Sequence, residues 1–126
     1  MAATLRGCRI LVVEDNFLLA EILCEFLDES GCITVGPAAR VSAALLLCAN
    51  NNLDGALLDI NLGKETCFGI ADRLTEQEVP FMFLSGYDDY IVPDRFRDIP
   101  KLGKPYDRAE ILRTAERLFL NNRAGR

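Results

Sequence analysis

Residues 10–16 read Ile-Leu-Val-Val-Glu-Asp-Asn. Four aliphatic residues in a row suit a strand covered on both faces, and the run stops abruptly on two carboxylates and an amide. A helical period follows. Leu19, Ile22, Leu23, Phe26 and Leu27 fall on one face, with Glu21, Glu25, Asp28 and Glu29 elsewhere. Ser30-Gly31 ends it, Gly31 being a natural residue just beyond a helix C-terminus. The same strand–helix unit then recurs. Residues 32–35 predict a second strand, closed by Gly36-Pro37. Residues 41–49 predict a helix with Ser42 as N-cap, stopped by three asparagines. Residues 56–58 predict a third strand running into Asp59, and residues 67–74 a short helix. Residues 81–84 follow Pro80 as a fourth strand, and residues 99–102 form a weak fifth. Asp107 is a good N-cap for a last helix with the apolar stripe Ile111, Leu112, Ala115, Leu118 and Phe119. Residues 88–98 contain Pro93 and a poor apolar period, which predicts a loop or a helix of a turn or two.

Strands starting near residues 9, 32, 55, 80 and 99 are one βα unit apart. Five such units imply an α/β fold: a doubly wound, five-stranded parallel sheet with helices on both faces. Nothing marks a linker or a repeat, so residues 1–126 read as one domain with its core over about 8–120 and a polar, fraying end.

Composition narrows the chemistry. The 126 residues carry 14 Lys and Arg against 19 Asp and Glu, a net charge of −5, which leaves no footprint for nucleic acid and no basic run for an anionic membrane. The absence of His removes Ser-His and Cys-His pairs, His-ligated zinc and a phosphohistidine. Five cysteines without Cys-x-x-Cys spacing read as small buried hydrophobes in a reducing cytoplasm. Too few residues precede the first strand for a signal peptide, and the longest apolar run, residues 43–49, is far short of a membrane span.

In an open α/β sheet, ligands bind beyond the carboxyl ends of the strands. Strand one ends in Glu14-Asp15, strand three in Asp59 and strand four in Ser85; Lys104-Pro105 follows strand five. Three converging carboxylates repel each other, and a hard divalent cation resolves the conflict. Mg²⁺ takes octahedral oxygen ligands and keeps several waters, which suits one or two direct carboxylates with a carbonyl such as that of Asn61. A carboxylate nucleophile, a metal, an ammonium and a hydroxyl together suit acceptance of a phosphoryl group on Asp59.

These residues carry a resemblance. Ile10 to Asp15, Ala56 to Leu62, Phe83 to Tyr87 and Lys104-Pro105-Tyr106 resemble, in order, the receiver domain of two-component response regulators over roughly residues 8–120. The resemblance implies a flavodoxin-like (βα)5 fold of strand order 2-1-3-4-5. It implies Asp59 as phospho-acceptor, Asp15 as direct Mg²⁺ ligand, Glu14 acting through water and Asn61 giving its carbonyl. Ser85 stands where the family has the Thr or Ser that moves to the phosphoryl group. Lys104 is the phosphoryl-contacting lysine, with a cis bond expected before Pro105. Phe83-Leu84-Ser85-Gly86-Tyr87 further resembles the Phe-Ala-Thr-Gly-Tyr type of single-domain receiver, from which Leu84 and Ser85 depart.

One departure matters more. Three residues before the lysine most receivers carry the aromatic that swings inward on phosphorylation; here stands Lys101. Lys101 suits a solvent-facing edge strand, and Tyr87 becomes the candidate to share the switching. The expectation is a cytoplasmic, stand-alone phospho-acceptor rather than an enzyme, monomeric or weakly dimeric, slow self-dephosphorylation apart. A histidine kinase or histidine phosphotransfer protein would supply the phosphoryl group, and an unknown downstream protein would read the result. Two alternatives stay open: a pseudo-receiver that only binds partners, and a hybrid-kinase receiver acting as a phosphate sink. An FMN carrier is disfavoured because Glu14-Asp15-Asn16 would repel its phosphate. A dehalogenase-type phosphatase expects a second Asp where Asn61 stands.

Overall fold

β1 (Arg9–Val13) lies between β2 (Ile33–Ala38) and β3 (Gly55–Asp59), and β6 (Phe81–Ser85) and β7 (Lys101–Gly103) complete the sheet in the order β2-β1-β3-β6-β7. Every pairing is parallel. With β4 (Asn61–Leu62) and β5 (Glu65–Thr66) set aside as a separate small antiparallel hairpin, this is the expected order 2-1-3-4-5. The helices are α1 (Phe17–Glu29), α2 (Val41–Asn50), α3 (Phe68–Glu76) and α4 (Arg108–Ala115), the last running on as a wider π-type turn over Glu116–Leu120. The computed structural model describes residues 4–86 and 92–121.

Alternation along the strands builds two cores. Ile10, Val12, Leu57, Met82 and Leu84 pack with Leu23 and Leu27 of α1 and Ile111 and Phe119 of the last helix. Leu11, Val13, Ala56, Leu58, Phe81 and Phe83 pack on the opposite face with Ala44 and Cys48 of α2 and Ile70, Ala71 and Leu74 of α3. Both faces of β3 and β6 are therefore buried, which is why their sequences show no polar alternation. At Gly55 a Cβ would sit 2.4 Å from the Phe119 ring, so the strand approaches the last helix only without a side chain.

Several local expectations need correction. β2 does not close at Gly36-Pro37 but runs to Ala38, through a cis Gly36–Pro37 bond. It is an edge strand, where the missing proline N–H breaks no essential ladder. Ser42 does not cap α2; Arg40 holds the cap position without a side-chain bond, and the Glu65 carboxylate accepts from Val41 N at 3.2 Å instead. The fifth strand is shifted to Lys101–Gly103, and the hairpin after Asp59 was not expected. Between residues 92 and 98 there is one short 3₁₀ turn, Asp94–Phe96, tied to α3 by the Arg95–Asp72 fork at 2.8 and 3.0 Å. Residues 88–91, like the polar end beyond residue 121, fall outside the described residues. Ile22 is partly exposed although its helical period placed it on the packed face. Four cysteines are buried, Cys24 is half-buried, and all five are free thiols. No helix among the described residues is long and apolar enough to cross a membrane.

Candidate functional site

Register brings the strand ends level. Val13 pairs with Leu58, Asp59 with Leu84, and Ser85 with Gly103. The ladder also continues one residue past two strands: Glu14 N donates to Ala38 O at 3.0 Å and Lys104 N to Ser85 O at 3.0 Å. Side-chain alternation therefore extends to those residues. Glu14 follows Ile10 and Val12, Asp59 follows Leu57, and Lys104 follows Leu102, all on the α1 and α4 side of the sheet. Three charged side chains from three strands are delivered to one point by parity.

Local structure fixes the rest. The Asn16 side chain caps α1 by accepting from Leu19 N at 3.1 Å, so the chain turns from strand to helix within three residues. Asp15 is exposed in that turn, while Glu14 is only 2% and Asp59 only 1% exposed. The three carboxylates bring one oxygen each within 4.8 Å of one another. Lys104 Nζ lies 3.3 Å from Asp59 Oδ2 and 3.5 Å from Glu14 Oε1. The Lys104–Pro105 bond is cis, as expected. Asp15, Asp59, Asn61, Gly86 and Lys104 line a cleft of about 410 Å³ at this end of the sheet.

The two buried carboxyls differ in their partners. Glu14 Oε2 accepts from Asn16 N at 3.1 Å, and Oε1 accepts the Tyr106 hydroxyl. Neither oxygen of Asp59 receives a hydrogen bond from the described residues. Burial first, and Glu14 next to it, push Asp59 up to about 8, with Lys104 pulling the other way. Burial also acts to raise Glu14, but bonds from Asp59, Tyr106 and the Asn16 N–H, with the Lys104 charge, hold it below its ordinary value. Burial and the neighbouring Glu14 thus both act against a charge on Asp59 in the metal-free state. A cation among these oxygens would supply Asp59 with what the protein does not.

The other sequence candidates are placed less tightly. Ser85 is the buried last residue of β6, and its hydroxyl makes no hydrogen bond to Asp59. Asn61 is exposed at the cleft rim, its Oδ1 accepting from Gly63 N at 3.1 Å. Lys101 is exposed on β7, the edge strand, as its solvent-facing reading requires. Tyr87 lies outside the described residues. Tyr106 had drawn no role from the sequence, because a tyrosine in a loop carries no periodicity or spacing signal.

The comparisons meet this geometry directly. The family model for the response regulator receiver domain matches residues 10–115. The chain belongs to this family. The receiver is 30% identical over 112 residues to an uncharacterized response regulatory protein of Vibrio parahaemolyticus, covering 86% of this chain and 46% of that protein. It spans about half the length of the curated relatives it matches. Among solved structures it is similar to SdrG of Sphingomonas melonis, with 33% identity, a TM-score of 0.77 and coverage of 92% of this chain and 95% of that one. The N-terminal domain of a response regulator/sensory box/GGDEF protein of Carboxydothermus hydrogenoformans shares the fold, at 21% identity, TM-score 0.79 and coverage of 93% and 98%. The receiver thus has the CheY-like α/β fold and belongs to two-component signalling.

Proposed function

We propose that this receiver accepts a phosphoryl group on Asp59 from the phosphohistidine of a partner kinase or phosphotransfer protein, with Mg²⁺ held at Glu14, Asp15, Asp59 and the Asn61 carbonyl. The observation that carries the reading is Asp59 itself: a buried carboxylate that receives no hydrogen bond from the described residues, facing a lysine and open to a cleft. A structural carboxylate would be satisfied by donors. The all-oxygen donor set suits a hard cation, with Asp15 at the exposed rim as a direct ligand. Bound there, Mg²⁺ would supply positive charge against the phosphoryl oxygens and the acceptor carboxylate.

The chain's own residues do the rest. An Asp59 oxygen attacks phosphorus, a P–O bond forms, and the P–N bond to the partner's imidazole breaks, its electron pair staying on nitrogen. Lys104 meets the phosphoryl oxygens as their charge shifts toward Asp59. Ser85 would supply the hydroxyl that moves onto the product. The chain acts as substrate and switch rather than as an enzyme with turnover, in the cytoplasm, and a downstream protein reads the changed surface. The Phe83-to-Tyr87 pattern supports the Phe-Ala-Thr-Gly-Tyr type of receiver, and Tyr87 remains the candidate second switch residue because Lys101 cannot swing inward as an aromatic.

Acetyl phosphate with Mg²⁺ is the test. Mass spectrometry is expected to show a gain of one phosphoryl group in the wild type and none when EDTA replaces Mg²⁺. No gain in the wild type under any divalent cation contradicts the acceptor reading and leaves the partner-binding pseudo-receiver.

A further inference from the structure

Lys104 serves two buried carboxylates at once, 3.3 Å from Asp59 and 3.5 Å from Glu14. An ammonium drawn wholly to Glu14 would leave Asp59 with no cation of its own. Yet Lys104 remains the nearer to Asp59. Among the described residues, the group that competes with Lys104 for Glu14 Oε1 is the hydroxyl of Tyr106. Its ring lies 5.8 Å from Lys104 Nζ, and it packs against the core shared by α1 and α4. Tyr106 follows Lys104 by two residues, so one short loop delivers both the ammonium and the group that keeps it in place.

We propose that Tyr106 is a positioning residue that takes up Glu14 through its hydroxyl and so reserves Lys104 for Asp59 and the phosphoryl oxygens. Glu14 is already met by two donors, the Tyr106 O–H and the Asn16 N–H, which weakens its pull on the lysine. This division rests on the phospho-acceptor reading for its consequence in transfer, but its geometric part stands in the metal-free protein.

The test uses Tyr106→Phe, which keeps the ring and its packing. A crystal structure of the metal-free variant is expected to show Lys104 Nζ on Glu14 and beyond ion-pair reach of Asp59, about 4 Å. With Mg²⁺ and acetyl phosphate, its phosphoryl uptake is expected to be about tenfold slower than wild type. Mg²⁺ affinity, read by calorimetry, stays within about twofold, since no cation ligand is removed. In a Glu14→Gln background, with no carboxylate to capture the lysine, adding Tyr106→Phe changes the rate less than about twofold, a non-additivity that plain loss of packing does not give. An unmoved Lys104 overturns the proposal, as does a wild-type uptake rate in Tyr106→Phe, or an equal loss in both backgrounds. If the wild type itself takes up no phosphoryl group, the acceptor reading fails, and the position of Lys104 in the crystal still decides the role of Tyr106.

Discussion

Asp59→Asn is expected to raise the thermal midpoint of the metal-free protein by roughly 5–10 °C, corresponding to about 2 kcal/mol. Most substitutions of a buried, charged residue destabilise. Here the sign reverses, because the native carboxylate is 1% exposed, receives no hydrogen bond from the described residues and faces Glu14. The amide carries no charge to desolvate, and its N–H can donate to Glu14. The effect also has a pH signature. Asp59 is raised from 3.8 to about 8, so between those values the folded protein binds a proton that the unfolded chain has lost. Wild-type stability from this group is therefore greatest in acid and falls as pH climbs toward 8. The Asn variant has no such proton, and the gap between the two widens across that window and closes below it. Differential scanning calorimetry in EDTA over this pH range checks it. Mg²⁺ should raise the wild-type midpoint and narrow the gap. A variant less stable than wild type at neutral pH would mean that Asp59 is held by the fold rather than strained by it.

Lys104→Ala carries the second large effect. Its ammonium is the one side-chain cation within ion-pair distance of Asp59 among the described residues, and it lines the cleft that Asp59 opens to. Removing such a preorganised charge typically costs about 10²–10³ in rate. Phosphoryl uptake from acetyl phosphate should fall by about that factor, read as mass gain against time. Mg²⁺ affinity should hold or rise, because a positive charge beside the cation has gone. That split separates loss of catalysis from loss of fold: a misfolded variant would lose both together. Uptake within about threefold of wild type would remove Lys104 from the transfer step.

How far the sequence reaches can be judged from particular residues. Glu14 and Asp59 were legible because each stands directly at the end of an apolar run, and Lys104 because it follows the weak fifth strand with Pro105 behind it; parallel strands bring such ends together. Their common face was also implicit, since parity along a strand survives into the ladder residues that follow it. The order of the strands, in contrast, came with the family resemblance, because alternation of β and α alone does not specify it. Tyr106 belongs to a stretch that carries the resemblance, but its bond to Glu14 was invisible for a physical reason: the partner is 92 residues away, and nothing in a Lys-Pro-Tyr loop says where the hydroxyl will reach. The same holds for Glu65, which caps α2 from a hairpin 24 residues on and displaced the local candidate Ser42. Gly36-Pro37 misled because those residues usually punctuate structure, whereas an edge strand tolerates them. Ile22 kept its helical period yet lies partly exposed, beside Phe17 and Leu18, which are 75% and 67% exposed on the same helix.

The central claim is that Asp59 is the atom-level acceptor, and chemical trapping tests it most directly. Wild-type protein is incubated with Mg²⁺ and acetyl phosphate, reduced with borohydride and digested, and its peptides are sequenced by mass spectrometry. An aspartyl phosphate is reduced to homoserine, while free carboxylates are untouched. The account predicts homoserine at position 59 alone, and only when Mg²⁺ and acetyl phosphate were both present. Homoserine at Asp15 or at another carboxylate, or a phosphoryl mass with residue 59 unchanged, would contradict it.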